Sequence, residues 1–262
     1  MTIFKTAFVI TLITTCSSFA YAGNSKNLAL IYKGPGACRT EDGDAGQSGY
    51  GCSEAAADVA KAAGFDYKFV GPDALSEQAT DAEVHALFHN AKVWIQPGGI
   101  AQLALYTMTY KLRQELVSFI SNGGGYVGFC AGAFIATSII GTSKNYGLGI
   151  FPGRTAGYGY NPENSSVGYS FENMSWLGKS RKVYFEGGPY LYGYGSNAET
   201  TATFDSGYTA AARASYGKGR VYITGGHPEA PAIWSEEDGL ADPDGNDHDL
   251  GAEMLHWAAH LQ

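Results

Sequence analysis

The sequence predicts an α/β fold in which helices cover a mostly parallel sheet. Short apolar runs alternate with helical stretches along the first half of the chain, and this alternation is typical of βαβ units. Several of the apolar runs end at glycine-rich turns, such as Gly34-Pro35-Gly36 and Pro97-Gly98-Gly99, where a strand is expected to stop. No internal repeat or linker interrupts the pattern, so we expect one domain over residues 23–262.

The first half is predicted to contain four short strands separated by helices. The strands are apolar runs rich in aromatic or β-branched side chains, expected at Leu28–Tyr32, Tyr67–Val70, Val93–Gln96 and Tyr126–Phe129. The helices are expected at Ser53–Ala63, at Asp81–Asn90 and, as one long amphipathic helix, at Gln102–Ser121. This last helix has leucines at helical spacing for an inner face.

The second half is less regular, and residues 144–200 are rich in Gly, Tyr, Asn and Ser. Strands are expected at Val167–Phe171, Lys182–Glu186, Thr201–Phe204, Ala210–Ser215 and Arg220–Thr224. Gly207 is expected to turn a hairpin between the third and fourth of these strands. A final helix is expected at Asp249–Leu261, with Asp249 as its N-cap.

The N-terminus has the features of a signal peptide over residues 1–22. Lys5 supplies a positive start, Thr6–Phe19 is apolar and uncharged, and Ala20-Tyr21-Ala22 matches a signal peptidase site. The apolar stretch is too short for a comfortable membrane span. We therefore expect cleavage after Ala22 and a periplasmic or secreted protein without a membrane span.

The charge balance excludes nucleic acid as a partner. The formal net charge is −8 and the pI is near 5.2, so the chain lacks the basic surface that neutralises phosphates. Apolar residues make up 45% of the chain and charged residues 16%, a composition that favours a folded protein. The sequence does not indicate an oligomeric state.

Three cysteines remain after the predicted cleavage, namely Cys38, Cys52 and Cys130. In an oxidising compartment an odd number predicts one disulfide and one free thiol. Cys38 and Cys52 flank a glycine-rich stretch, and a disulfide between them would contribute ~3 kcal/mol to stability. The alternative is that all three cysteines are reduced and inert.

The strongest local motif is Gly128-Phe129-Cys130-Ala131-Gly132-Ala133. A predicted strand runs directly into Cys130, which has glycines two residues before and after it, as in a G-x-S-x-G nucleophile elbow with sulfur replacing oxygen. The glycines allow a strained nucleophile and close chain packing, and the N-terminus of a following helix favours the thiolate. The alternative is a buried structural cysteine in a glycine-rich turn.

Two further segments have positions suited to the same chemistry. His227-Pro228-Glu229 follows the predicted strand Arg220–Thr224, so it is expected at the C-terminal sheet edge, where Glu229 can orient the imidazole. Pro97-Gly98-Gly99 follows another strand, and its N–H groups could bind an oxyanion together with that of Ala131. Taken alone, an H-x-E motif is weak, and a P-G-G turn is more often an ordinary strand-to-helix connection.

The order P-G-G, G-x-C-x-G and H-x-E resembles that of the class I glutamine amidotransferase superfamily. Within it, the segments Ile31–Gly36, Gly128–Ala133 and Glu186–Tyr190 resemble the amidotransferase-like domain at the N-terminus of some biotin-protein ligases and its stand-alone relatives. The resemblance covers nearly all of residues 23–262. It implies a flavodoxin-like three-layer domain with a nucleophile elbow.

The resemblance also implies a role for each motif residue. Cys130 would be the nucleophile, His227 the base and Glu229 the acid that orients it. Gly99 and Ala131 would donate to the oxyanion, and the substrate side would be formed by Gly98, Phe134, Gly188 and Tyr190. The implied activity is thiol-dependent hydrolysis of a small amide or γ-glutamyl-type bond, in a small molecule or a peptide, without a cofactor.

The chain departs from the superfamily pattern at Phe134, where amidotransferases usually have the Gln of C-x-G-x-Q. We expect residues 23–262 to form one domain, without a synthase domain to receive ammonia, so glutamine-dependent amination is not expected. An alternative is a small-molecule-binding module that has lost turnover. A peptidase of the PfpI type is a third possibility, but it normally has histidine directly after the cysteine, where Ala131 stands here.

No metal site is predicted. The pairs His85/His89 and His256/His260 have a metal-compatible helical spacing, but no third ligand accompanies either pair in the sequence. The segment Asp242–Asp247 resembles the start of a calcium loop without the required glycine, and we expect a solvated acidic turn there.

Overall fold

The computed structural model describes residues 27–38, 48–140, 143–144, 147–159 and 168–261. The predicted signal peptide lies outside these residues. The first nine elements are β1 Leu28–Tyr32, α1 Cys52–Ala62, β2 Asp66–Val70, α2 Asp81–Phe88, β3 Ala91–Gln96, α3 Ala101–Thr107, α4 Tyr110–Ser121, β4 Gly125–Phe129 and α5 Ala131–Ala136. The chain continues with β5 Ile139–Ile140, β6 Ser143–Lys144, β7 Arg154–Gly157, β8 Tyr169–Trp176, β9 Lys179–Glu186, β10 Pro189–Tyr192, β11 Glu199–Phe204, β12 Thr209–Tyr216, β13 Gly219–Thr224, α6 Ala232–Glu237 and α7 His248–Ala258.

The strands form one mixed sheet with a parallel part and an antiparallel part. Strands β2, β1, β3, β4 and β13 lie side by side in that order, and all four pairings are parallel. Strand β12 then pairs antiparallel with β13 and leads into the antiparallel pairings of β7 to β12. The predicted mostly parallel sheet is therefore correct for the five parallel strands, including β13 of the second half, whereas most of the remaining strands pair antiparallel. There, hairpins replace helical crossovers because their connections are too short for a parallel return.

Helices cover both faces of the parallel strands, and successive strand residues point to opposite sides. Ile31, Ile95 and Phe129 belong to a core shared with α1 and α7. Leu30, Trp94 and Tyr126, on the opposite face of the same strands, belong to a second core shared with α3, α4 and α5. These side chains are fully buried, and each contributes roughly 1.5–3 kcal/mol through burial. The two cores hold the strand ends, and hence the site described below, in a fixed position.

The predicted helix Gln102–Ser121 is two helices, α3 and α4. The break falls at Met108 and Thr109, whose backbone is extended. The Thr109 hydroxyl accepts the Leu112 N–H (3.1 Å), and the Glu77 carboxylate accepts the N–H groups of Tyr110 and Lys111. Because one of these caps comes from a distant residue, the local periodicity could not reveal the break.

Two more predictions in the second half need correction, and a third is confirmed. The last helix begins at His248 with Asp247 as its N-cap residue, and Asp249 lies in its first turn; the two carboxylates both bind Arg181 (2.6 and 2.7 Å). The strand expected at Val167–Phe171 runs from Tyr169 to Trp176, and Val167 lies outside the described residues. The hairpin at Gly207 is confirmed by the antiparallel pairing of β11 with β12.

Within the part of the chain that the structure describes, no helix combines the length and apolar character needed to span a bilayer.

Candidate active site

Cys130 lies at the junction of β4 and α5 in a strained backbone conformation. Its φ is 44° and its ψ is −100°, a combination that non-glycine residues rarely adopt. Its N–H donates to the Thr224 carbonyl of the adjacent strand β13 (2.9 Å), and its thiol donates to the Glu186 carbonyl (3.5 Å). The residue is 5% exposed, and it is the free cysteine of the described chain.

The glycines that flank Cys130 are required by close backbone packing. A Cβ on Gly128 would lie 2.6 Å from the carbonyl of Gly132, and a Cβ on Gly132 would lie 2.3 Å from the Gln96 carbonyl. Neither contact can accommodate a side chain, because both neighbours are backbone atoms. The turn therefore brings the end of β4 and the start of α5 against the end of β3.

His227 and Glu229 lie beside Cys130 because β13 pairs in parallel with β4. Thr224 is opposite Phe129 in this pairing, so both strands end at the same edge. The His227 Nδ1 lies 3.0 Å from the Glu229 Oε1. The two side chains are 2% and 0% exposed, and within the described chain the His227 Nε2 and the Glu229 Oε2 have no hydrogen-bond partner.

The charge environment favours a protonated imidazole at His227. Burial by itself lowers the pKa of His227, but the nearby Cys130 and Glu229 outweigh burial, and the pKa is raised well above its ordinary value. Cys130 is thus close enough to act on the ring electrostatically, although Nε2 makes no hydrogen bond of acceptable geometry. The His227 imidazole can therefore accept the proton that the Cys130 thiol gives up.

Two aromatic rings enclose the imidazole. Tyr184 and Trp234 lie 5.9 and 5.8 Å from the His227 ring, both edge to face. The Tyr184 hydroxyl donates to Asp238 (2.5 Å), and the Trp234 indole N–H donates to the Tyr50 carbonyl (2.8 Å). Trp234 was missed by the sequence analysis because no pattern indicated the short helix α6.

The Pro97-Gly98-Gly99 turn packs directly against His227. A Cβ on Gly98 would lie 2.5 Å from the His227 Cε1, so a side chain here would displace the ring. Gly99 has a φ of 113°, which only glycine adopts readily. Ala131 is the first residue of α5, and such a residue has an N–H without an intrahelical acceptor.

The remaining predicted substrate residues occupy different surroundings. Gly188 packs on β13, since a Cβ on it would lie 1.8 Å from the Gly225 carbonyl. Tyr190 packs with Tyr208 and Tyr192 (4.6 and 5.4 Å between ring centroids) in the antiparallel part of the sheet. Phe134 is half-buried on α5, one turn beyond Cys130.

The predicted disulfide between Cys38 and Cys52 is confirmed. The two cysteines are bonded, and their Cα atoms are 5.2 Å apart, within the normal range for a disulfide. Cys130 stays free, as the odd number of cysteines predicted.

The histidine pairs and the acidic turn serve other contacts. The His85 and His89 rings lie 4.3 Å apart, and the His256 Nε2 lies 2.8 Å from the Ala63 carbonyl. The Asp242 carboxylate accepts the N–H of Gly245 (2.9 Å). Across the residues that the structure describes, no three or more His, Cys, Asp or Glu side chains group in a way that could hold a metal.

Solved structures with this fold include glutamine amidotransferases. A crystal structure of a glutamine amidotransferase matches with a TM-score of 0.53 and 20% identity, covering 71% of this chain and 93% of the other. The structure of PurLQS from Thermotoga maritima matches with a TM-score of 0.56 and 13% identity, covering 90% of this chain and all of the other. The chain therefore has an α/β fold of the glutamine amidotransferase-like class.

The family follows from the sequence itself. Residues 84–250 match the model of the family described as "Biotin-protein ligase, N terminal". The match covers more than half of the chain, and the chain belongs to this family. It includes Cys130, His227 and Glu229, whereas Cys38 and Cys52 lie before it. No curated protein sequence matches the chain.

Proposed function

We propose that this chain is an exported thiol-dependent hydrolase that cleaves a small amide or γ-glutamyl-type bond through Cys130, His227 and Glu229. The observation that carries the proposal is the parallel pairing of β4 with β13. It brings a strained, free cysteine to the same sheet edge as a buried His–Glu pair. A fold gains little stability from burying such a pair, whereas a nucleophile needs both a base and an orienting acid.

The strand order supports the finer classification of the fold. The order β2-β1-β3-β4-β13 corresponds to the 2-1-3-4-5 order of flavodoxin-like sheets, which bind ligands beyond the C-terminal strand ends. Cys130 follows the fourth of these strands directly and precedes a helix, as the nucleophile of an elbow does. We therefore treat the β4–α5 turn as a nucleophile elbow in a flavodoxin-like domain.

In the proposed first step the Cys130 proton moves to the His227 Nε2, and the thiolate attacks the substrate carbonyl carbon. Glu229 stabilises the resulting imidazolium through Nδ1 (3.0 Å). The carbonyl oxygen becomes an oxyanion, for which we propose the N–H groups of Gly99 and Ala131 as donors. The tetrahedral adduct then collapses, the C–N bond breaks, and the imidazolium donates its proton to the leaving amine.

In the second step His227 removes a proton from water, which attacks the thioester carbon. The C–S bond breaks, the acid product leaves, and Cys130 regains its proton from the imidazolium. The rings of Tyr184 and Trp234 keep bulk water from the imidazole and strengthen its interaction with Glu229. This cycle needs no cofactor, and its net reaction is amide plus water to acid plus amine.

Export is the remaining part of the proposal. Residues 1–22 have signal-peptide features, and the Cys38–Cys52 disulfide suits an oxidising compartment. The substrate side would be formed around Phe134, Gly98 and Gly188, with Tyr190 at its outer limit. An apolar ring at Phe134 replaces the amide that holds glutamine in amidotransferases, so we expect a substrate other than free glutamine.

The test is release of amine from a panel of γ-glutamyl anilides, glutamine and short peptide amides by residues 23–262. We expect turnover of at least one substrate, its loss in Cys130→Ala, and a decrease of about 10²–10⁴-fold in His227→Ala. His85→Ala is the matched control, because His85 is exposed and lies on α2. Turnover that survives Cys130→Ala would refute the proposal.

A small-molecule-binding module without turnover is the second candidate. Two observations favour it: the thiol donates to the Glu186 carbonyl instead of to the His227 Nε2, and Phe134 replaces the amidotransferase Gln. Calorimetric titration of Cys130→Ser with the same panel separates the candidates. Tight binding of a compound that the wild-type protein never cleaves would favour the module.

A further inference from the structure

We infer that the Cys38–Cys52 disulfide is a positioning group for the thiol site, because it supports both the Gly98-Gly99 turn and the imidazole of His227. Its meaning for catalysis rests on the proposed function. The packing contacts of the disulfide are observed independently of that proposed function. They involve two cysteines that lie before the residues matched by the family model.

The first contact is made by Cys52 through Gly98. A Cβ on Gly98 would lie 3.3 Å from the Cys52 Sγ and 2.5 Å from the His227 Cε1. The sulfur and the ring therefore pack on the same glycine. Movement of Cys52 would change the surface on which the imidazole rests.

The second contact is made by Cys38 and its neighbours through Gly99. A Cβ on Gly99 would lie 2.4 Å from the Gly36 carbonyl and 3.0 Å from the Cys38 nitrogen. The Ile100 N–H also donates to the Gly36 carbonyl (3.0 Å). Residues 36–38 thus support the turn that contains the proposed oxyanion donor.

Cys38 itself needs support, since it has a φ of 49°. A non-glycine residue in this region costs roughly 1–3 kcal/mol and persists only where its surroundings hold it. Its disulfide partner Cys52 is the first residue of α1, and this helix packs against one face of the parallel strands. The bond therefore ties a strained loop residue to a fixed helix.

The third contact reaches the aromatic rings around His227. Cys52 belongs to a small buried cluster with Tyr184 and Trp234, the two rings that enclose the imidazole. Trp234 also donates to the Tyr50 carbonyl (2.8 Å), two residues before Cys52. A change at the start of α1 would consequently act on the ring through Gly98 and through Trp234.

Reduction by a dithiol would supply two electrons and two protons, break the S–S bond and give two thiols. After reduction we expect residues 36–38 and the Gly98-Gly99 turn to move relative to the His227 imidazole. His227 would no longer activate Cys130. The site would then work fully only while the disulfide is formed.

The experiment measures iodoacetamide alkylation of Cys130 from pH 6 to 9 in wild type and in Cys38→Ser/Cys52→Ser. The Cys130 peptide is followed by mass spectrometry. We expect the rate near pH 7 to fall about tenfold or more in the double variant, with its pH profile moving towards that of an unactivated thiol. Peptide-amide turnover should fall mainly in kcat, because the change affects the base and the oxyanion donor.

Leu116→Ala is the matched control for lost stability. Leu116 is fully buried in α4 on the other face of the sheet, and its truncation costs about 2–5 kcal/mol, comparable to the ~3 kcal/mol of a lost disulfide. We expect its melting temperature to fall while the Cys130 pH profile stays that of wild type. An unchanged profile in the double variant, with only a lower melting temperature, would overturn the inference.

Two further arms keep the outcomes distinct. Wild-type thiol reactivity that is indifferent to His227→Ala overturns the proposed function and this inference with it. Should the double variant not fold, wild-type protein is compared before reduction with tris(2-carboxyethyl)phosphine, after it, and after reoxidation. Loss of rate with retained helix content and recovery on reoxidation supports the inference, and a constant rate contradicts it.

Discussion

The two ends of the parallel strands differ in the solvent exposure of their polar side chains. At the C-terminal end, Cys130, His227 and Glu229 are buried among backbone contacts that only glycines allow. At the N-terminal end a groove is open to solvent and is lined by polar or charged side chains, including His85, His89, Lys92, Glu115, Lys218 and His260. The charged groups of one end are enclosed, and those of the other are solvated.

This difference in burial favours the C-terminal edge as the candidate active site. A buried polar atom without a hydrogen-bond partner costs about 1–3 kcal/mol, and both His227 and Glu229 carry one such atom. The groove has no comparable cost, because exposed side chains such as His89 and Lys92 stay hydrated. This cost in stability at the buried pair supports the proposed site at the C-terminal edge.

The largest effect that would test this contrast is expected from Gly188→Ala. Its Cβ would lie 1.8 Å from the Gly225 carbonyl, and because this neighbour is backbone, β10 and the end of β13 must move apart. We expect a loss of about 3 kcal/mol or more in the free energy of unfolding, measured by urea denaturation. Gly168→Ala is the control, since its Cβ meets no atom within 4 Å. Equal stability of the two variants would contradict the close packing of this edge.

A smaller effect is expected from Glu229→Gln. The carboxylate helps to raise the pKa of His227, so neutralising it should lower that pKa and weaken the imidazolium that stabilises the Cys130 thiolate. We expect Cys130 alkylation near neutral pH to slow by about tenfold, with the fold unchanged by circular dichroism. Glu115→Gln, in the groove, is the control and should leave the rate unchanged. A rate in Glu229→Gln equal to that of wild type would mean that the buried pair does not act on the thiol.

The smallest expected effect is a difference between the two ends in how stability depends on pH. Burial and the nearby Arg220 lower the pKa of His260, so its stabilising contribution is present above an unfolded pKa of about 6.5 and is lost as pH falls. The raised pKa of His227 has the opposite sign: its contribution is present below about pH 6.5 and is lost as pH rises through the folded value.

We therefore expect His260→Asn to lose less stability than wild type between pH 7 and pH 5, followed by urea unfolding. Asparagine suits the positive φ of His260 (58°). Ser118→Ala, also in the groove, removes no titrating group and should follow wild type. A His260→Asn curve parallel to that of wild type would refute the assigned sign.

Local sequence patterns were sufficient to predict those elements whose bounds are set by residues within or next to the element. Strand β1 was predicted at its observed bounds, and α1 and β4 were predicted to within one residue, because apolar runs and glycine turns act over short distances. The same reasoning failed at Thr109, where Glu77 caps α4 from another part of the chain. It also missed β10, which begins at Pro189 and is held by pairing with β7.

The sequence by itself determined the α/β class, the glycine-flanked cysteine, the H-x-E segment and the pairing of Cys38 with Cys52, because motif spacing and cysteine number do not depend on the packing of distant residues. Only the tertiary structure decided that β13 lies next to β4, that Tyr184 and Trp234 enclose His227, and that Cys52 reaches the same imidazole through Gly98. These relations join residues far apart along the chain. They follow from strand order and core packing, which no local pattern encodes.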